Sequence, residues 1–302
     1  MAGTNKLTRH ALLFTVGGVL TKLILFIFVP LFTYYLTLEQ TGTIDLLVNA
    51  SDLLMIFLSL GITEAVFRMS MEKASNKKAV YSIGLIITTV GHLIFLCFAP
   101  LINQISQIQG FGYLLVAMSF MAQFTDISRT FTRSLEKVGS HVIGDIIYAL
   151  TFSLVSILFI MVFHMGVTGY LLAFIIGHIA ESTYLFLGCH LYQYLTFHFE
   201  KKGLLKKMLR YSLPMIIPAT SWWIINMSNK VIIQTDPTLE MGFYSFATKV
   251  PIYLAAVYSF FAMSWSITSI GDYEDHGFDD RYTKVYQFIN IVFLVLTSLV
   301  IT

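Results

Sequence analysis

Charge is scarce in this sequence and unevenly placed. Only 12% of the 302 residues are charged and 56% are hydrophobic, with a mean hydropathy of +0.75. Soluble domains carry roughly 25% charged residues, so the composition excludes an ordinary soluble protein. Lysine and arginine are absent from four of the segments that separate apolar runs, namely 37–43, 103–111, 164–168 and 234–242.

The sequence also has little that points to disulfide bonding or catalysis. Its two cysteines, Cys97 and Cys189, fall near opposite ends of apolar spans. We therefore expect no disulfide between them and interpret both as small packing residues. No phosphate-binding glycine loop, HExxH zinc motif or GxSxG nucleophile motif occurs. The sequence accordingly predicts no cofactor, no metal site and no nucleic-acid partner.

Long apolar runs dominate the sequence instead. Runs of about 20 residues are long enough to cross a bilayer as helices. Strands of a membrane barrel would alternate apolar and polar residues over about ten positions. The pattern predicts an all-α integral membrane protein with nine transmembrane helices, at 11–36, 44–67, 80–102, 112–128, 142–163, 169–193, 211–233, 243–268 and 285–302.

The basic residues lie in alternate connecting segments. They precede span 1, separate spans 2 and 3, 4 and 5, and 6 and 7, and precede span 9. Among them are Arg129 and Arg133, which we place between spans 4 and 5. Because short loops rich in lysine and arginine stay on the cytoplasmic side, we expect a cytoplasmic N-terminus.

A short internal repeat divides the chain. Thr37-Leu38-Glu39, with Gly42 shortly after it, recurs as Thr238-Leu239-Glu240, with Gly242 shortly after it. An offset of six helices is even, so the two copies would share one orientation, as in transporters built from parallel repeats. We therefore predict a six-helix N-terminal lobe at 1–200 and a partial C-terminal lobe of three helices at 201–302, truncated after its third. A nine-helix protein that is complete as it stands is the alternative.

Basic residues interrupt three of the apolar spans. Lys22 lies in span 1, Lys230 in the last turn of span 7 and Lys249 in span 8. A charge at the bilayer centre costs roughly 2.5–3.5 kcal/mol and usually faces a wet cavity or a partner. Arg68 follows Glu64 by four residues near the end of span 2, which places the two on one helix face as an ion pair. A cavity lined by such cations would attract an anion.

Acidic residues interrupt the spans as well. His178 precedes Glu181 by three residues in span 6, so the two could share a proton. We interpret each acid as hydrogen-bonded to a neighbouring helix, and ion coupling through Asp52, Asp126, His178 or Glu181 stays open. The acids within the spans are Asp45, Asp52, Asp126, Asp145 and Glu181.

Tryptophans and prolines lie together in span 7. Trp222 and Trp223 are well inside the span, away from the interfacial position that tryptophan favours. Their rings would stack on sugar rings in a cavity or pack in a core, and both interpretations stay open. Proline breaks line the pathway in membrane carriers, and the prolines in the spans include Pro30, Pro214, Pro218 and Pro251.

Four stretches of the sequence resemble a known family. They are TKLILFIFVPLFTYYLTLEQTGTIDLL, SLGITEAVFRM, RYSLPMIIPATSWWIINMSNK and GFYSFATKVPIYL. They are similar to the polysaccharide-repeat flippases (O-antigen, capsule and exopolysaccharide) of the multidrug/oligosaccharidyl-lipid/polysaccharide exporter superfamily. The resemblance implies two six-helix lobes around a cationic cavity and no enzymatic activity. It further implies alternating-access translocation of an undecaprenyl-diphosphate-linked oligosaccharide across the cytoplasmic (inner) cell membrane, with membrane lipids and polysaccharide assembly proteins as partners.

The resemblance extends to individual charged positions. Lys22 matches the basic position of span 1, Glu64 and Arg68 match the acidic-to-basic pair that ends span 2, and Lys249 matches the lysine before Pro251. The resemblance implies that Lys22, Arg68 and Lys249 bind the diphosphate of the lipid carrier. Glu64 is expected to support them.

The sequence departs from the family pattern at two places. Tyr34 stands where similar sequences often carry arginine, and Asn229-Lys230 stands where Asp-Arg is common. We keep Lys230 as a further binding residue, with Trp222 and Trp223 as supporting residues.

Two other functions remain open. A cation-coupled multidrug exporter of the same superfamily would typically carry a carboxylate in span 1, and this span has none. A membrane glycosyltransferase or polymerase would need a site such as the acidic cluster before span 9, whose carboxylates suit a divalent cation but also suit a solvated charge run. That cluster comprises Asp272, Glu274, Asp275, His276, Asp279 and Asp280.

Overall fold

The chain divides into two compact units. A computed structural model describes residues 2–72, 75–104, 108–196 and 203–235, with short stretches and single residues between 262 and 298. The larger unit is Val16–Val231, and the other comprises Met1–Thr15 and Ile232–Thr302. Within the second unit, the described stretches 282–283, 285–287 and 289–292 are helical.

Regular structure in the described residues is helical throughout. The α-helices are α1 (Ala2–Tyr35), α2 (Leu38–Leu58), α3 (Ile62–Met71), α4 (Lys77–Leu96), α5 (Ala99–Ile102), α6 (Gly112–Ser134), α7 (Val138–Ser156), α8 (Gly166–Gly188), α9 (Leu204–Ser212) and α10 (Ile216–Thr235). A π-helical segment, Ile157–Val162, extends α7. Short 3-10 turns, Leu191–Tyr194 and Leu213–Met215, follow α8 and α9. The predicted all-α class is confirmed for this part of the chain.

Four helical segments of the described ranges are long and apolar enough to cross a membrane. They are Glu39–Leu58, Lys77–Leu96, Val138–Val162 and Gly166–Gly188, and a shorter apolar stretch, Leu13–Leu25, lies in α1. These segments fall in predicted spans 1, 2, 3, 5 and 6, in agreement with a multi-pass membrane protein. Spans 8 and 9 and the acidic cluster lie almost entirely outside the described residues. The nine-helix count, the two lobes and the orientation stay predictions.

The second predicted span is interrupted. α2 and α3 are separated by Leu60 and Gly61, which both adopt left-handed backbone conformations with φ of 54° and 62°. Glycine adopts this conformation without steric cost, whereas leucine does not. A single helix over 44–67 is therefore wrong, because hydropathy stays high through the bend and gives no signal of it.

α6 is the central helix of the larger unit. It packs against α2, α3, α4, α7 and α8. It runs to Ser134 and so includes Arg129 and Arg133. Their predicted placement in a loop is wrong, because neighbouring helices supply partners for both charges and the helix continues through them.

Two apolar clusters pack around α6. In one cluster Tyr81 of α4 stacks on Phe131 of α6 with ring centroids 4.4 Å apart. In the other, Leu47, Leu115 and Leu171 are fully or almost fully buried. Lipid tails are as apolar as leucine, so close packing rather than hydrophobic burial holds membrane helices together. These contacts set the spacing of α2, α4, α6 and α8 around the charged residues described below.

α9 is an amphipathic helix in the predicted basic segment between spans 6 and 7. Its buried residues are Met208 and Ser212, while its basic side chains are exposed. The Lys207 Nζ atom lies 2.8 Å from Glu72 Oε2 at the end of α3, and α9 packs on α3. Both side chains of this ion pair are well exposed, so we expect it to contribute less than about 1 kcal/mol.

Candidate functional site

Lys22 lies on the exposed side of α1. Another face of α1 packs against α7, since a Cβ added to Gly17 would overlap the Val142 side chain. Lys22 itself is exposed. A residue that lines a cavity must lie off the packed face of its helix, and Lys22 meets that requirement.

Arg68 and Glu64 lie one turn apart in α3. Arg68 is half-buried and Glu64 is exposed. No ion pair joins them within the described ranges, so the pair expected from their spacing is not formed. Glu64 is instead within electrostatic reach of Arg133 and Asp126 on α6. The charge of Arg68 is therefore not neutralised by Glu64.

The two tryptophans of α10 have different environments. The indole Nε1–H of Trp223 donates a hydrogen bond to the backbone oxygen of Asn49 in α2, at 2.8 Å. Trp222 is 68% exposed. The side chain of Lys230 in α10 and the whole of Lys249 lie outside the described residues. Trp223 thus links two helices, while Trp222 presents its ring at the surface.

Replacing Trp223 with phenylalanine is expected to lower the free energy of unfolding by about 1 kcal/mol. Phenylalanine keeps most of the ring packing but loses the bond to Asn49, and a typical hydrogen bond contributes about that amount. Thermal unfolding of purified protein in detergent measures the loss. Trp222→Phe is the matched control, and an equal loss in that variant would contradict the prediction.

A buried ionic cluster joins α6, α7 and α8. The Nε and Nη2 atoms of Arg129 donate to Oε1 and Oε2 of Glu181 at 2.8 and 2.7 Å. Asp145 Oδ1 lies 3.1 Å from Arg129 Nε. The Glu181 side chain has no exposed surface, whereas those of Arg129 and Asp145 are 26% and 24% exposed. We name Arg129, Asp145 and Glu181, with His141 and His178, the Arg129 centre.

One histidine lies beside each of the two carboxylates. His141 Nε2 lies 3.6 Å from Asp145 Oδ2, and His178 Nδ1 lies 3.8 Å from Glu181 Oε2. Both histidines are buried, at 2% and 8% exposure. The Tyr148 ring lies over His178 with centroids 4.4 Å apart. The Arg129 centre therefore combines one permanent cation, two carboxylates and two titratable rings.

Further charges of α6 adjoin this centre. Asp126 is half-buried and within electrostatic reach of Arg129 and Arg133. The Arg133 guanidinium lies over the ring of Phe67 in α3, with its carbon 4.1 Å from the ring centroid. For Glu181, the interpretation as an acid hydrogen-bonded to a neighbouring helix is confirmed. Asp52 is exposed on α2.

Most of the sequence matches one protein family. A model of the polysaccharide biosynthesis protein family matches residues 7–267. The chain belongs to this family. The predicted resemblance is thereby confirmed at the level of the family. A comparison with curated protein sequences gives no significant match.

Solved membrane transporters share the fold of this polysaccharide biosynthesis protein. An outward-facing multidrug resistance MATE family transporter of the MOP superfamily aligns with a TM-score of 0.73 and 15% identity, over 90% of this chain and 65% of that one. A MATE in complex with Br-NRF aligns with a TM-score of 0.76 and 14% identity, over 97% and 74%. A MOP superfamily transporter from Pyrococcus furiosus, described by a binding pocket of reverse polarity, aligns with a TM-score of 0.69 and 15% identity, over 90% and 64%.

The likeness to these transporters is a likeness of fold. The chain spans about two thirds of the length of the first of these transporters, and identities near 15% show a common fold alone. The chain thus combines membership of the polysaccharide biosynthesis family with the fold of these transporters. Neither the family match nor the fold points to the glycosyltransferase or polymerase alternative.

Proposed function

We propose that this protein translocates an undecaprenyl-diphosphate-linked oligosaccharide across the cytoplasmic membrane by alternating access. The observation that carries the proposal is the match of residues 7–267 to the polysaccharide biosynthesis family in a chain that has a transporter fold. A polysaccharide pathway needs its lipid-linked sugar moved across the bilayer, and a transporter does this without covalent chemistry. The rocking of one half of the molecule against the other would re-expose the substrate on the far side.

The diphosphate is the part of the substrate that the charged residues would recognise. We assign its binding to Lys22, Arg68, Lys249 and Lys230. In support, Lys22 lies on the exposed side of α1 and Arg68 is not neutralised by Glu64. The planar guanidinium matches phosphate oxygens in pairs, and a lysine ammonium inside the bilayer gains most from a mobile anionic partner.

The sugar and the prenyl chain would occupy different surroundings. The exposed ring of Trp222 suits stacking against a sugar face, in a water-filled cavity. The prenyl chain would stay among lipid tails, so it would change leaflet without entering water. Handover to polysaccharide assembly proteins would follow release.

Replacing Lys22 with alanine is expected to weaken binding of undecaprenyl diphosphate roughly 10- to 100-fold, because a hydrogen bond to a charged group contributes about 1.5–3 kcal/mol. Binding is measured with the purified protein in nanodiscs, by displacement of a fluorescent undecaprenyl diphosphate. Lys22→Arg should retain most of the affinity. Lys78→Ala, which removes an exposed charge at the start of α4, is the control and should bind as the wild type does.

The same assay separates the proposal from its rivals. Equal affinity for undecaprenol, which lacks the diphosphate, would contradict recognition of the diphosphate. The multidrug exporter alternative predicts instead that cationic drugs bind and that an ion gradient drives their transport in vesicles. Helix α1 contains no acidic residue, so the carboxylate typical of that alternative is lacking there.

A further inference from the structure

We propose that the Arg129 centre binds one exchangeable proton, shared by Asp145 and His141, and that this proton determines whether Arg129 holds one carboxylate or two. The inference deepens the proposed transport function by giving it a coupling site, and in that respect it rests on the proposed function. Proton binding itself stands on the geometry of the Arg129 centre alone.

The charges of the Arg129 centre do not balance. Arg129 contributes one positive charge, and Asp145 and Glu181 contribute two negative charges, so the three sum to minus one with both histidines neutral. All three lie within a helix bundle in which Glu181 has no exposed surface and the other two side chains are about a quarter exposed. Net charge in such surroundings is costly. One added proton makes the Arg129 centre neutral.

The geometry assigns the proton to the side of Asp145. Both oxygens of Glu181 accept hydrogen bonds from Arg129, and a carboxylate held in this way remains ionised. Asp145 Oδ1 lies 3.1 Å from Arg129 Nε but accepts no hydrogen bond in the described part of the chain. Its other oxygen faces His141 Nε2 at 3.6 Å. The weakly held carboxylate beside an imidazole is the natural proton acceptor.

Other charged and titratable groups lie on the helices around the Arg129 centre. On α6, Asp126 and Arg133 carry opposite charges and lie within electrostatic reach of each other. On α3, Glu64 is exposed and interacts with that pair. On α7, Tyr148 packs on His178. Asp126 and Arg133 offset each other and Glu64 is acidic, so none of these groups cancels the excess of one negative charge in the Arg129 centre at neutral pH.

His178 of α8 supplies an independent observation. It is 8% exposed, and its Nδ1 atom, which has no hydrogen-bond partner among the described residues, faces Glu181 Oε2 at 3.8 Å. A buried polar atom directed at the carboxylates in this way indicates a site that takes up a small polar species. The described residues contain no group of three His, Cys, Asp or Glu side chains that could hold a metal ion.

Binding of the proton would change how α7 is held. With Asp145 ionised, Arg129 attracts the carboxylates of both α7 and α8. With Asp145 protonated, Arg129 is committed to Glu181, and α7 loses its ionic link to α6. Gly144, next to Asp145, faces Glu181 of α8, since a Cβ there would be in ordinary contact with Glu181 Oε1 at 3.4 Å. A change of charge at Asp145 thus acts where α7 and α8 pack against each other.

Infrared difference spectroscopy of the purified wild-type chain tests the proposal. As pH is lowered, the C=O stretching band of a protonated, buried carboxylic acid should appear, and Asp145→Asn should remove it. Glu39→Gln, which changes an exposed acid in the first turn of α2, is the control and should keep the band. Asp145→Asn should also lose the matching pH dependence of the thermal unfolding midpoint.

Two outcomes would overturn the proposal. One is a wild-type spectrum without a titrating carboxylic acid band while the protein remains folded. The other is a band that persists in Asp145→Asn. If that variant does not fold, His141→Gln replaces it, and a band that titrates at the same pH as in the wild type would then count against the shared proton. Undecaprenyl diphosphate binding is measured on the same samples, so failure of the coupling site and failure of the proposed function are told apart.

Discussion

Replacing Arg129 with methionine is expected to lower the free energy of unfolding by about 3–5 kcal/mol, the usual cost of removing one partner of a buried ion pair. Glu181 would lose both hydrogen bonds to Arg129 while fully buried. Asp145 would lose the cation that lies 3.1 Å away. Unfolding in mixed micelles of increasing dodecyl sulfate content measures the difference.

A triple variant separates the ionic contacts from side-chain packing. In Arg129→Met/Glu181→Met/Asp145→Asn no unpaired carboxylate is left in the Arg129 centre, so most of the stability should return. Lys78→Met, at an exposed position, should unfold as the wild type does. The prediction fails if Arg129→Met alone unfolds within about 1 kcal/mol of the wild type, which would mean that the cluster contributes no more than a surface ion pair.

Replacing Gly91 with alanine is expected to lower the free energy of unfolding by up to about 3 kcal/mol, the upper part of the range for overpacking. Gly91 lies in α4 where that helix packs against the end of α2. An added Cβ would overlap the backbone oxygen of Leu58. A backbone atom cannot rotate away as a side chain can, so the two helices must separate.

Gly42→Ala is the matched control for this effect. Gly42 lies within α2, and a Cβ added there has no atom within 4 Å. Alanine is the better helix former by roughly 0.5–1 kcal/mol, so this variant should be slightly more stable than the wild type. Similar losses in Gly42→Ala and Gly91→Ala would show that close approach of α4 and α2 is not the cause.

The sequence was sufficient to locate most of the helices. Hydropathy placed spans at 80–102 and 169–193, and the corresponding helices are Lys77–Leu96 and Gly166–Gly188. Crossing a bilayer requires about 20 apolar residues, which leaves a clear pattern. Helix ends and bends leave none: Leu60 and Gly61 turn the chain inside an apolar run, and α6 continues past the last apolar residue of its span.

The Arg129 centre shows what the sequence could and could not supply. Asp145 and Glu181 were recognised as acids inside apolar spans, which implies a buried partner. The sequence pattern places Arg129 in a loop, because a basic residue at the end of an apolar span is interpreted as a sign of the cytoplasmic side and not as the partner of a buried acid. Its partner Glu181 is 52 residues away, and only the packing of α6 against α8 brings the two together. Searching for a cation at the end of an adjacent span would have found it.

The bend at Gly61 has a consequence for how movement would spread through the larger unit. Its backbone lies against the last turn of α9, close enough that an added Cβ would be 3.0 Å from the carbonyl oxygen of Ser212 and 3.4 Å from the side chain of Ile216. Ser212 ends α9 and Ile216 begins α10, so the first residue of α10 packs against this bend. A tilt of α10 would therefore pivot at the junction of α2 and α3 and reach Arg68 within two helical turns.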